Sequence, residues 1–243
     1  MPTRCLACPL RKKDMFAKLG REDVEAIQRF KAGEMQIEPG TAILLEGSNS
    51  PQLYTALSGL GLRYKTLPDG RRQVINLVFP GDFLGLQAGL MGKMRHSVEA
   101  TTAMTLCVFD RAEFFRFFRS HTERAFDITW LAAVEEHFLG EALASLGQRS
   151  ATSRMAWALL KIWHRMNGLG LCDASGRCPL PYRQQDLADA LGLSLVHTNK
   201  TLAKLRERQL VSWSGGMLRL TDLRALTDLA GAEFESEIVR PLI

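Results

Sequence analysis

Between residues 33 and 109 the apolar positions come in short runs, among them Ala42-Ile43-Leu44-Leu45, Leu53-Tyr54-Thr55-Ala56-Leu57 and Val74-Ile75-Asn76-Leu77-Val78-Phe79. Turn-forming residues separate them: Pro39-Gly40, Glu46-Gly47-Ser48-Asn49, Ser58-Gly59, Pro68-Asp69-Gly70 and Pro80-Gly81-Asp82. Strands repeating at about 8 to 12 residues predict a β-barrel or jelly roll. The texture then turns helical over 122–147, where Gly140 is the one internal glycine before the end and proline is absent. Leu131, Val134, Phe138, Ala142 and Ser145 follow one another at steps of three and four, which marks one face of a helix. That face fits a helix packed on its own barrel. The length of the helix fits a coiled-coil-like dimer seam better.

Helices are predicted over 153–166, 183–191 and 195–209. Leu210-Val211-Ser212-Trp213, the glycines of Ser214-Gly215-Gly216 and Met217-Leu218-Arg219-Leu220 then read as a hairpin. Thr221-Asp222 supplies a cap for a last helix. Within this region Gly192 ends one helix and Ser194 is placed to cap the next. Leu195, Thr198, Leu202 and Leu205 share an inward face, and Val196, His197, Asn199 and Lys200 lie near the opposite one. A helix-turn-helix needs this division: one face buried, the first turn free to reach base edges in the major groove. Asn199 can pair bidentately with adenine and Lys200 can donate to guanine. Lys200, Lys204, Arg206 and Arg208 form a basic flank suited to phosphates. A solvated amphipathic helix in an all-α subdomain is the plainer alternative, and the hairpin that follows, placed as a wing, counts against it.

Composition adds limits rather than identity. The chain has 243 residues, is 46% hydrophobic and 23% charged, and carries a net charge of +5. That length and apolar content suit one large domain or two small ones. The mild positive excess suits an anionic partner without specifying one. No stretch has the length of a membrane span, and the basic N-terminus has no apolar signal core, so a cytoplasmic location is expected. Five cysteines, Cys5, Cys8, Cys107, Cys172 and Cys178, form an odd set that argues against a disulfide framework. Cys172 and Cys178 lie in a glycine-rich connection, match no firm metal spacing and read as incidental. No glycine-rich phosphate loop, His-Glu-x-x-His or Gly-x-Ser-x-Gly is present, and His96, His121, His137, His164 and His197 share no ligand spacing, so an enzyme is not expected.

In this order the pieces resemble the Crp/Fnr family, that of the cyclic AMP receptor protein and the fumarate-nitrate reduction regulator, and its Fnr/FixK-like branch more than the cyclic AMP receptor. The residues that carry the resemblance are Pro39-Gly40 with Glu46-Gly47, Leu57-Ser58-Gly59, Phe79-Pro80-Gly81-Asp82-Phe83-Leu84-Gly85, Leu146-Gly147-Gln148-Arg149-Ser150-Ala151 and the helix-turn-helix. The resemblance implies an α+β chain with an N-terminal double-stranded β-helix (jelly-roll) sensor, a long dimerisation helix and a C-terminal winged helix-turn-helix. The corresponding divisions are 1–20 for a cysteine-containing segment, 21–121 for the sensor, 122–147 for the dimerisation helix and 148–243 for the DNA-binding domain. It implies a homodimer on a palindromic operator in double-stranded DNA, with RNA polymerase as a further partner if the protein activates. Gln185 keeps the place of a backbone-contacting glutamine. Val196, Asn199 and Lys200 stand where the best-known members carry Glu, Ser or Gly, and Arg, so their operator should not be assumed here.

The sensor also departs from the pattern. Cyclic-nucleotide-binding members meet the ribose with a Glu and the phosphate with an Arg-Ser pair, and those places hold Leu86 and His96-Ser97. Cyclic AMP is therefore not expected as a ligand. The oxygen-sensing Fnr branch holds a four-iron four-sulfur (4Fe-4S) cluster. Cys5, Cys8 and Cys107 fall on three of its ligand places and Asp14 on the fourth. A carboxylate is a harder ligand than a thiolate and a poorer match for cluster iron. Three readings of these cysteines stay open: a cluster sensing oxygen or nitric oxide, a thiol redox switch, and no chemistry at all, with Cys107 packed as an ordinary core residue.

Overall fold

The computed structural model describes residues 2–231 and 239–243. The chain divides into two compact units, Met1–Glu136 with Val239–Ile243, and His137–Ile238. Residues 232–238, which the sequence places in the C-terminal domain, lie outside the described residues.

The first unit opens with two 3-10 turns, Cys5–Ala7 and Pro9–Lys12, followed by helix α1 (Arg21–Phe30). Eight strands then run antiparallel: β1 (Lys31–Ile37), β2 (Ala42–Leu44), β3 (Gln52–Ser58), β4 (Gly61–Thr66), β5 (Arg72–Val78), β6 (Phe83–Leu84), β7 (Ser97–Ala100) and β8 (Met104–Asp110). They form two four-stranded sheets in the orders β1-β8-β3-β6 and β2-β7-β4-β5. This is the jelly roll that the short apolar runs predict. Leu44, Tyr54, Val78, Leu84, Val98 and Leu106 belong to its core. Turn chemistry fixes its corners. Gly59 has φ +86°, and a Cβ there would fall 2.3 Å from the Ala103 carbonyl oxygen, so only glycine lets these two loops meet.

A second apolar cluster joins α1, helix α3 (Arg111–Ser120) and the start of helix α4 (Thr122–Gln148) to β3 and β8. Phe30 stacks on Phe109 and on Phe117, with ring centroids 4.8 and 4.4 Å apart. The N-cap Asp110 accepts from the Ala112 amide and starts α3 directly after β8. Between β6 and β7 lies the short helix α2 (Leu86–Met91). The periodic patterns read above did not mark α1, α2 or α3.

Residues 239–243 join this first unit although the sequence groups them with the C-terminal domain. The Ala17 amide donates to the Arg240 carbonyl and the Arg240 amide to the Met15 carbonyl, each at 2.8 Å. Leu242 and Ile243 are buried, and Thr55 Oγ1 donates to the Ile243 carbonyl at 2.7 Å.

Three residues of the stripe expected to form a dimer seam pack within the chain. Leu131 is buried in the first unit's helical cluster, Phe138 stacks on Trp157 and Ser145 is fully buried. Periodicity reveals a buried face but not what buries it. A different face of α4 is open: Phe126, Thr129, Ala133, Glu136, Gly140, Leu143 and Gly147 are all exposed and recur at alternating steps of three and four.

The second unit continues with α5 (Ala151–Gly168), β9 (Arg177–Pro179), α6 (Gln184–Leu191), α7 (Leu195–Glu207), β10 (Val211–Ser214), β11 (Met217–Leu220) and α8 (Leu223–Ala230). The three helices read from the sequence are present within two residues at either end. Asp222 caps α8 by accepting from the Ala225 amide. The hairpin is there too, but in a three-stranded sheet, β10-β11-β9, whose third strand the sequence did not announce.

Candidate nucleic-acid interface and the cysteine site

The helix-turn-helix is α6, a turn and α7. Arg183 and Asp186 box the start of α6: the Arg183 amide donates to Asp186 Oδ2 at 2.9 Å and Arg183 Nη2 to Oδ1 at 2.8 Å. Gly192 takes φ +61° at its end, a left-handed geometry that suits glycine. Ser194 Oγ then accepts from the His197 amide at 3.2 Å and starts α7. Thr198, Thr201, Leu202 and Leu205 are buried along the inner face of α7. Leu195 was expected among them and is 40% exposed. It is the first helical residue, and the inner stripe begins one turn later, with Thr201 filling the place the pattern missed.

The opposite side is open to solvent. Ser194, Val196, His197, Asn199, Lys200 and Lys204 are all exposed, as are Arg206 and Arg208. Val196 is 64% exposed. Gln185 is exposed on α6, where its Nε2 donates to Asp189 Oδ1 at 2.6 Å. The interface therefore gathers all seven residues expected to meet DNA on the exposed surface of two adjoining helices. Ser194 also holds the helix start, and its hydroxyl can still donate outward.

Arg154, which the sequence did not single out, seats the motif. Its Nη1 donates to the Leu191 carbonyl at 2.6 Å and its Nη2 to the Leu146 and Arg149 carbonyls at 2.8 and 3.1 Å. One guanidinium thus ties the ends of α4 and α6 to α5, a fork geometry that lysine lacks. On the other side, Trp213 Nε1 donates to the Leu180 carbonyl at 3.2 Å and the Leu180 amide to the Gly216 carbonyl at 2.6 Å, fixing the wing to the segment that follows β9.

Cys5, Cys8 and Cys107 line one small cavity, together with Thr55, Leu242 and Ile243. The N-terminal turns bring the first two there, and β8 brings Cys107, which pairs in register with Glu34 on β1 and Thr55 on β3. The surroundings keep Cys5 and Cys107 as neutral thiols. Burial pushes the Cys107 thiol up to about 11, with the Lys31 ammonium opposing, and burial also raises Cys5. Lys31 is engaged with Glu34 at 2.7 Å and with the Thr3 carbonyl at 2.8 Å.

Asp14 is exposed and does not line the cavity. At about 40 Å³ the cavity has room for a few water molecules. Among the described residues no three His, Cys, Asp or Glu side chains are placed to hold one metal ion. In this arrangement the residues do not fit a four-iron cluster, because Asp14, the expected fourth ligand, does not reach the cavity.

Cys172 and Cys178, read as incidental, are joined in a disulfide. The signal lay between them: Asp173-Ala174-Ser175-Gly176 is a turn sequence, which returns the chain on itself and brings its ends together.

The β-roll, the long helix and the winged helix-turn-helix define a DNA-binding regulator of the Crp-like fold. Comparison with known proteins agrees. Residues 34–121 match the cyclic nucleotide-binding domain and residues 153–229 the Crp-like helix-turn-helix domain. The chain is 32% identical to the nitrogen fixation regulation protein FixK of Bradyrhizobium diazoefficiens, over 94% of each chain. It is 30% identical to the transcriptional activatory protein AadR of Rhodopseudomonas palustris, over 93% of this chain and 92% of that one. The solved structure of FixK2 from Bradyrhizobium japonicum superposes with a TM-score of 0.74 at 26% identity, covering 83% of this chain and 98% of that one. The chain belongs to the Crp/Fnr family of transcription regulators and falls with its Fnr/FixK branch. Family and fold are those of regulators, not enzymes. No helix among the described residues is long and apolar enough to cross a membrane.

Proposed function

We propose that the protein is a homodimeric, sequence-specific transcription regulator that reads a palindromic operator through the exposed turn of α7. The observation that carries this reading is the two-faced α7, buried along Thr198, Leu202 and Leu205 and open at Val196, Asn199 and Lys200. Asn199 and Lys200 are assigned to base edges, Val196 to a thymine methyl, and Gln185, Ser194, His197 and Lys204 to the backbone. Two such helices in a two-fold dimer meet half-sites about 34 to 36 Å apart. An activator of this design also contacts RNA polymerase.

The test is selection of bound duplexes from a random pool by the purified protein. An inverted repeat is expected, and Asn199→Ala or Lys200→Ala should lose preference at particular base pairs by about 1–3 kcal/mol each. Selection of no common sequence by the wild type would reject the reading.

We further infer that the β-roll of this chain does not serve cyclic AMP. Leu86 and His96 stand where the polar anchors would be. Burial, with the Arg63 charge next, lowers His96 to about 4, so it offers no cation to a phosphate at neutral pH. Micromolar binding in a calorimetric titration would overturn this.

The convergence of Cys5, Cys8 and Cys107 favours a second reading, in which these residues sense oxygen, nitric oxide or redox state. A 4Fe-4S cluster on them, with Asp14 as fourth ligand, requires the N-terminal segment to rearrange from its packed position. Anaerobic purification with iron and sulfide analysis decides it. About four of each per chain supports the cluster, and a folded, iron-free protein from an iron-replete anaerobic culture rejects it.

A further inference from the structure

The Cys172–Cys178 pair sits where the DNA-reading unit is joined together. Cys172 follows the end of α5, where the Leu171 amide donates back to the Met166 carbonyl at 2.9 Å. Cys178 is the middle residue of β9, fully buried, and faces Leu218 of β11 in the register of the wing sheet. The bond therefore ties the C-terminal end of α5 to the strand on which the wing is built.

The turn between the two cysteines does not depend on that bond. The Asp173 carboxylate accepts from the Ser175 amide at 2.9 Å, Ser175 Oγ at 2.7 Å, the Arg177 amide at 3.0 Å and Arg177 Nε at 2.9 Å. The Asp173 amide donates to the Arg177 carbonyl at 2.9 Å, and Trp163 Nε1 on α5 donates to the Gly176 carbonyl at 3.1 Å. Two thiols released from the bond would stay adjacent, so the bond can open and close without unfolding the domain. Cys172 is only half-buried and gives an incoming thiol a point of attack.

We propose that Cys172 and Cys178 are a reversible dithiol–disulfide site, exchanging with low-molecular-weight thiols such as glutathione, that sets how firmly the wing is held and hence how tightly DNA is bound. The inference rests on the DNA-binding reading above. In the reducing direction a glutathione thiolate attacks Cys172 Sγ. The S–S bond breaks, and Cys178 leaves as a thiolate that takes up the proton given up by glutathione. A second glutathione attacks the glutathione sulfur of the mixed disulfide, releasing Cys172 as a thiol and glutathione disulfide. The reverse sequence oxidises the pair with glutathione disulfide as the electron acceptor. In the reduced state the wing keeps its hydrogen bonds to Leu180 and the turn keeps its Trp163 hydrogen bond to α5, but the covalent tie is lost. DNA then has to order a looser surface, at a cost in affinity.

The full-length protein is equilibrated in glutathione buffers from fully reduced to fully oxidised. Thiols are trapped by alkylation and located by peptide mass, and affinity for the selected duplex is measured in parallel. Residues 172 and 178 should pass together from alkylated to protected, and the oxidised protein should bind about 5-fold tighter or more. Cys172→Ser should hold the weaker affinity in every buffer. A pair that stays alkylated in fully oxidised buffer overturns the site. A pair that switches with equal affinity in both states overturns its link to the wing. Exchange at the pair with no duplex bound in either state would instead reject the DNA reading beneath it, and leave the thiol exchange standing.

Discussion

At the scale of single residues, the first unit holds a histidine whose charge it refuses. His96 lies near Arg63 and Lys65, which with burial keep it neutral, while Glu46 alone pulls the other way. Its pKa falls from 6.5 to about 4 on folding, so the unfolded chain binds the extra proton between those values. The stability this neutrality secures is whole above about pH 6.5 and drains away as the pH falls toward 4, at roughly 1.4 kcal/mol per pH unit. Urea unfolding at pH 7 and pH 5 should show the loss, and His96→Gln should flatten it. Equal pH dependence in the two proteins would locate the titrating group elsewhere. The neighbouring Ser97 Oγ accepts from the Glu46 amide at 3.0 Å, so this stretch of β7 now braces a loop.

At the scale of elements, α4 carries two faces with two fates. Ile128, Leu131 and Ser145 are buried, whereas Leu139 and Leu143 are 45% and 72% exposed. An exposed face with Phe126, Ala133, Gly140 and Gly147 at seven-residue intervals allows close approach of a second helix, with Leu143 as a knob. Burial of one leucine at such a seam is worth about 1.5–3 kcal/mol. Leu143→Asp, which removes two copies of it per dimer, should therefore give monomers at micromolar protein in sedimentation, with helix content unchanged. A variant that remains dimeric would move the seam to another surface.

The element scale also shows what the sequence could disclose. Strands, α4, the helix-turn-helix and the hairpin were legible because period and turn chemistry are local properties. The stripe from Leu131 to Ser145 was legible as one face, but the cover that its Leu131, Phe138 and Ser145 find within the chain was not, because partners are not encoded in periodicity. Gln185, Ser194, Val196, His197, Asn199, Lys200 and Lys204 could be placed on one surface from helical spacing and the cap. Asp14 could not, since its position depends on how the 3-10 turns of the N-terminus pack. Arg154 and the Cys172–Cys178 bond were hidden for the same reason: each acts across segments that meet only in three dimensions.

At the scale of the whole molecule, charge and symmetry act together. A net charge of +5 is modest for a chain that must hold a polyanion, so the basic residues matter by where they stand. Lys200, Lys204, Arg206 and Arg208 all lie on or just after the exposed side of α7. Each phosphate neutralised releases counterions, and the logarithm of the binding constant falls with the logarithm of salt by about 0.9 per contact. Base contacts leave that slope nearly untouched. In a two-fold dimer every substitution is made twice, once in each half-site. Lys204→Ala should therefore lower the slope by about 2 rather than about 1. It should also weaken the selected duplex and an unrelated one by the same factor. Binding measured between 50 and 200 mM salt reads both quantities at once. A slope change near 1 would mean that a single α7 engages the duplex, and loss confined to the selected sequence would move Lys204 from the phosphates to a base.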